Sequence, residues 1–151
     1  MKGLPAQKRT GHADMKNNEI SWLDASRLQP SQFYINEAKL KILRMNFDPA
    51  LCDPVPVKEL DGQLVMTDGH TRACFMILEG YRSIPVIRET ADLNWQAYRI
   101  NVRDCRKRGI RSALDLPRCI VPSDIFEENW NTYCDRVQSS LAQKQPDLQK
   151  G

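Results

Sequence analysis

Two histidines, five cysteines and no Cys-x-x-Cys pair in 151 residues leave little from which to build a zinc centre, and the odd cysteine count argues against a disulfide framework. Reduced, mostly buried thiols are the expectation. No stretch approaches the ~18 consecutive apolar residues of a membrane-spanning helix. Residues 1–18 contain no apolar core of the kind a secretory leader needs. A cytoplasmic protein without membrane contact is therefore expected. An excess of one charge is missing as well: 22 basic against 19 acidic side chains exert no protein-wide pull on nucleic acid, so any basic patch must be local. The 41% hydrophobic content suffices for one domain with a proper core, and the length is short for two. No internal repeat is visible.

Residues 1–18 scatter Lys2, Lys8, Arg9 and Lys16 among Gly3, Pro5 and Gly11 and bury too little to offset ordering entropy, which predicts a flexible tail. A single domain is expected over 19–141, its last part (about 94–141) a helical extension, with 142–151 frayed. Ile20-Ser21-Trp22-Leu23 suits a short strand. Asn36 can cap a helix over 37–45 with Leu40 and Leu43 facing the core and Phe47 closing it. Residues 54–66 read as a β-hairpin, because Asp61-Gly62 suits a type I′ turn. Residues 71–79 are apolar on nearly all sides, as in a helix packed on more than one face, and Gly80 ends it. A strand follows at 83–87. Trp95, Tyr98, Val102 and Cys105 recur at helical spacing, and Phe126, Trp130, Tyr133, Val137 and Leu141 mark a last helix after Pro122-Ser123. Together these predict an α/β (α+β) fold: a small mixed sheet with helices, including these last two, covering it.

The chemistry concentrates at Thr67-Asp68-Gly69-His70-Thr71-Arg72, where a strand ends and a helix begins. A helix start leaves N–H groups unpaired at the positive end of its dipole, so Gly69, His70, Thr71 and Arg72 can form a donor-rich pocket for phosphate. The guanidinium of Arg72 matches phosphate oxygens and stays charged. A cation there opposes the dipole by roughly 0.3–1 kcal/mol unless an anion is bound. His70 can donate to phosphate or act as acid or base. Asp68 can hold Mg²⁺ or accept a hydroxyl proton. The plainer alternatives are a strand-to-helix corner, a turn histidine paired with Asp68 or the backbone, and a helix-capping aspartate.

The run Asp61-Gly62-Gln63-Leu64-Val65-Met66-Thr67-Asp68-Gly69-His70-Thr71-Arg72, an apolar helix and then Glu79-Gly80-Tyr81-Arg82-Ser83-Ile84-Pro85-Val86-Ile87 resembles the core of the ParB/sulfiredoxin superfamily over residues 54–88. The stretch 22–45 resembles it more loosely, and 94–151 matches nothing in it. The resemblance implies a sulfiredoxin-like fold in which a Gly-x-x-Arg element binds nucleotide phosphates. Sulfiredoxins carry a reactive cysteine where this chain has His70, so sulfinic acid reduction is not implied. Partition proteins of the ParB type show Gly-Glu-Arg-Arg and a following helix-turn-helix, both absent here. Free-serine kinases of the superfamily show Asp-Gly-His-His-Arg, which Asp68-Gly69-His70-Thr71-Arg72 copies except at Thr71. That likeness implies a phosphotransferase using ATP or ADP with Mg²⁺ on a small hydroxyl substrate such as a free amino acid. It assigns the phosphates to Gly69, His70, Thr71 and Arg72, and metal or proton handling to Asp68. It adds Glu37 as the counterpart of a glutamate near the transferred phosphate, although by itself Glu37 is a first-turn acid that stabilises its helix. A non-catalytic nucleotide- or nucleic-acid-binding module and a ParB-like nuclease are the alternatives.

Residues 99–111 hold six cations against one anion. Arg103, Arg106, Lys107 and Arg108 could touch nucleic-acid phosphates, or could form a solvated helix face. Cys74, one turn beyond His70 in an apolar helix, reads as an inert core thiol.

Overall fold

A computed structural model describes residues 16–144, and its main sheet grows from the hairpin at Asp61-Gly62. Those two residues take φ of 52° and 82°, the positive values a type I′ turn demands. They join β4 (Val55–Leu60) to β5 (Gln63–Met66) with Leu60 opposite Gln63. Chain reversal through a helix then lays β6 (Ser83–Arg88) parallel to β4. Counting from the N-terminus, β1 (Ser21–Asp24) runs antiparallel to β6 on one edge and β2 (Leu28–Gln29) parallel to β5 on the other. The strand order is β1-β6-β4-β5-β2, a mixed sheet in an α+β fold. A separate parallel pair joins β3 (Ile35–Asn36) to β7 (Ile120–Val121).

The crossover helix, α2 (His70–Leu78), buries Ala73, Cys74, Phe75 and Met76. It is enclosed by the sheet, by α1 (Glu37–Asn46) and by a 3-10 segment, Ala113–Cys119. That enclosure is why its sequence is apolar on every side. Val55, Val57, Met66, Ile84 and Val86 meet it in the core, each such side chain contributing about 1.5–3 kcal/mol relative to exposure. Asn36 caps α1 through its side chain, which accepts from the Ala38 N–H at 2.9 Å, and Ser112 with Asp115 forms a capping box for the 3-10 segment. The five cysteines are free thiols. Burial pushes Cys74 and Cys105 up to about 12 and Cys119 to about 11, which suits inert core residues.

Helix α3 (Trp95–Lys107) reaches the sheet: the Tyr98 hydroxyl donates to the Thr67 carbonyl at 3.1 Å, and Arg106 reaches Gln29 at 3.3 Å. Helix α4 (Ser123–Lys144), as expected, belongs with α3 to the helical cover of the sheet, and it packs on α3 and on β3. The aromatic stripe holds it there. Trp130 and Tyr133 pack against Phe33, with ring centroids 5.0 and 4.8 Å away, and the Tyr133 hydroxyl donates to Asp104 Oδ2 at 2.7 Å. Helix α4 thus docks on rings and polar groups in front of the sheet. Of the expected tail, residues 1–15 lie outside the described residues. The expected frayed end is helical as far as Lys144, and 145–151 lie outside the described residues.

Candidate functional site

The junction between β5 and α2 is held from both sides. Thr67 donates its N–H to the Pro56 carbonyl at 3.0 Å and its hydroxyl to Glu89 at 2.8 Å. Gly69 is the helix N-cap, in the left-handed region at φ 76°, and no side chain caps the helix. Asp68 Oδ1 instead accepts from the Gly69 N–H at 2.8 Å. The first helical bond runs from the Ala73 N–H to the Gly69 carbonyl. Among the described residues, the N–H groups of His70, Thr71 and Arg72 consequently have no partner, and they sit at the positive end of the helix dipole.

Arg72 folds back over this turn. Its Nη1 donates to the Pro54 carbonyl at 3.3 Å and lies 3.0 Å from where a Cβ on Gly69 would stand, with Val55 Cγ2 at 3.2 Å. Gly69→Ala should therefore lower stability by about 1–3 kcal/mol, from left-handed strain and crowding against Val55. It should also dislodge the Arg72 guanidinium. Urea unfolding of the unliganded variant measures the first effect; a stability within 0.5 kcal/mol of the parent would contradict it.

His70 is 4% exposed. Its Nε2 accepts from the Ser31 N–H at 3.0 Å, and Ser31 is fixed by its own hydroxyl bond to the Met66 carbonyl at 2.6 Å. A backbone N–H can only donate, so Nε2 carries no proton and Nδ1 must carry it. Among the described residues Nδ1–H has no partner. Burial pushes this imidazole down to about 4, against an opposing pull from Asp68. At neutral pH it is uncharged. The geometry suits a neutral hydrogen-bond donor better than the acid or base role considered from the sequence.

These groups open into a cavity of about 630 Å³. Asp68, Gly69, His70, Thr71 and Arg72 form one wall; Lys39, Leu43 and Asn46 of α1 form another; Phe126, Trp130 and Asn131 of α4 close it. All five residues of the predicted turn are thus brought together. Glu37 is not: it is exposed, lies 4.0 Å from Lys41 and does not line the cavity. Lys39, two positions along α1, lines it instead, with Nζ 5.9 Å from the centre of the Phe126 ring. Sequence reasoning missed Lys39 and Asn131 and read Phe126 and Trp130 only as part of the stripe that marks the last helix. The stripe itself was the available signal, since a helix that packs on other helices leaves the flank of its stripe beside whatever they surround.

The basic stretch is largely committed to internal contacts. Arg103 meets Asp104 at 3.3 Å and Arg106 meets Gln29. The Arg108 guanidinium lies 4.0 Å over the Phe33 ring, and Arg99 pairs with Asp61 at 3.0 Å. Lys107 is exposed. Among the described residues no cluster of three or more His, Cys, Asp or Glu could hold a metal ion, and no helix is long and apolar enough to cross a membrane.

No family model matches the chain, and no curated protein matches it. Among solved structures, the crystal structure of protein Atu1540 from Agrobacterium tumefaciens is similar over 61% of this chain at 15% identity, with a TM-score of 0.40. The match spans about half of that chain, 49%, and a likeness at this level carries no functional argument.

Proposed function

We propose that the chain binds the phosphates of a nucleotide, ATP or ADP, at the Gly69 turn and passes a phosphoryl group to a small hydroxyl substrate such as a free amino acid. The observation that carries this reading is the uncapped start of α2 facing an open cleft between α1 and α4. There the free N–H groups, the Arg72 fork, the Nδ1–H of His70 and the ammonium of Lys39 converge as donors. Phosphoryl transfer asks a protein chiefly for positioning and for stabilising charge on the moving group. Arg72 and the backbone hold the phosphates; His70 adds a donor that stays uncharged.

Asp68 is exposed at the cavity wall, with Oδ1 on the Gly69 N–H. Its other oxygen would accept the acceptor's hydroxyl proton or share Mg²⁺ with the phosphates, and one carboxylate is within the usual complement for that ion. Bound there, Mg²⁺ would supply charge neutralisation at the phosphates. With Glu37 outside the cavity, Asp68 takes the role the resemblance gave to that glutamate. The resemblance to the ParB/sulfiredoxin superfamily supports the same reading. The nucleic-acid alternative is the weaker one, because Arg103, Arg106 and Arg108 have partners within the fold, which leaves Lys107 of that surface.

Thermal shift with ATP, ADP, CTP and GTP, followed by product analysis with Mg²⁺ and a panel of free amino acids, tests the proposal. The expected result is a nucleotide shift of several degrees and one phosphorylated acceptor. Asp68→Asn should then lose turnover far more than nucleotide affinity. Absence of any shift sinks the reading. Binding without turnover leaves the non-catalytic module, and cleavage of added DNA would support the nuclease.

A further inference from the structure

The same cavity has a second wall whose chemistry phosphate does not need. Phe126, Trp130 and Asn131 from α4 face a space of about 630 Å³, within the range of pockets that take whole cofactor-sized ligands. We infer that this α4 wall is a base-recognition face, on which a nucleobase lies against Trp130 and Phe126 while its polar edge meets Asn131. The inference rests on the nucleotide reading and adds to it the part of the ligand that α4 reads.

The anion end is marked independently by His70, a nearly buried residue of the cavity lining whose Nδ1–H has no partner among the described residues. A ligand anchored there by phosphate has to fill the rest of the space with something flat and apolar that carries hydrogen-bonding edges. Trp130 is built to receive it. Its indole is stacked on Tyr133 at 5.1 Å and 18° and meets Phe33 edge-on at 5.0 Å and 89°. Tyr133 is itself pinned by its hydroxyl to Asp104 at 2.7 Å and lies 3.2 Å from Asn101 Oδ1. The ring plane is thus set before any ligand arrives, which spares the entropy of ordering it. Phe126 is exposed enough to engage Lys39 across the cavity at 5.9 Å. That places a cation between the aromatic wall and the phosphate wall. Asn131 is exposed, has no partner among the described residues, and offers one donor and one acceptor, the pair a base edge presents.

The test uses the whole chain with Trp22→Phe and Trp95→Phe, which leaves Trp130 as its single indole, the fold being checked by circular dichroism. ATP, ADP, CTP, GTP and inorganic tripolyphosphate are titrated against both melting temperature and indole fluorescence. Tripolyphosphate and at least one nucleotide should raise the melting temperature, but the nucleotide alone should quench Trp130. Phe126→Leu and Asn131→Ala, neither of which removes a core side chain, should weaken that nucleotide about ten-fold or more and about three-fold respectively. Tripolyphosphate affinity should stay within two-fold. Nucleotide binding without quenching, or an unchanged ratio of nucleotide to tripolyphosphate affinity in both variants, overturns the inference while leaving the phosphate site standing. Failure of every compound to bind overturns the nucleotide reading and the inference with it.

Discussion

Arg72→Ala should erase about half or more of the stabilisation by nucleotide while leaving the unliganded melting temperature nearly unchanged. The two halves have separate causes. A bidentate, charge-assisted contact to phosphate contributes roughly 1.5–3 kcal/mol, so its loss weakens binding about 10- to 100-fold. At ~100 times the parent dissociation constant, ligand adds roughly 2.7 kcal/mol; a hundred-fold weaker site would gain only about 0.4 kcal/mol at the same concentration. In the unliganded protein Arg72 makes one long bond, 3.3 Å to the Pro54 carbonyl. Removing a cation from a helix N-terminus returns roughly 0.3–1 kcal/mol, which largely offsets that bond. Differential scanning with and without nucleotide reads both quantities. A variant that loses several degrees unliganded would make Arg72 a structural residue.

The second large effect is on acid stability. The unfolded chain takes up a proton on His70 near the ordinary 6.5, whereas the folded chain resists until about 4. The unfolded state therefore binds more protons across that window, and stability must rise with pH through it. The contribution is complete above about pH 6.5, declines as pH falls, and is spent near pH 4; at full size it is roughly 3 kcal/mol. Carboxylates act lower down. Burial raises Asp24 and Asp115, but hydrogen bonds involving Ser26 and Arg82 in one case, and Arg111, Arg118 and Ser112 in the other, hold both below the ordinary carboxylate range. Their stabilisation is lost only below about pH 4. Urea midpoints between pH 7 and pH 4.5 should fall steeply in the parent and much less in His70→Gln, with His12→Gln as the control. Parallel curves for parent and His70→Gln would mean that the imidazole is not kept neutral.

Legibility in the sequence followed the reach of each signal. The Asp61-Gly62 turn, the Asn36 cap, the glycine stop at Gly80 and the start of α4 after Pro122 are local chemistry and were read directly. The two-residue strands β2, β3 and β7 carry no periodicity. The 3-10 segment Ala113–Cys119 contains a proline that speaks against a helix, so neither could be read. The wall formed by residues 68–72 was visible because its residues are consecutive. The rest of the cavity comes from positions 32–46 and 126–131, and nothing in a one-dimensional pattern says that they meet. Ser31 is the clearest case. A serine after proline reads as a turn, yet its backbone N–H decides which nitrogen of His70 bears the proton.

The docking of α4 also has a meaning in time. The residues of the Gly69 turn and of every strand in the main sheet have been made when the chain has reached Arg88, but the far wall does not exist until residue 131 has been made and α4 has closed against Phe33. A ligand bound as proposed would then act late, as a latch between the earliest helices and the last one.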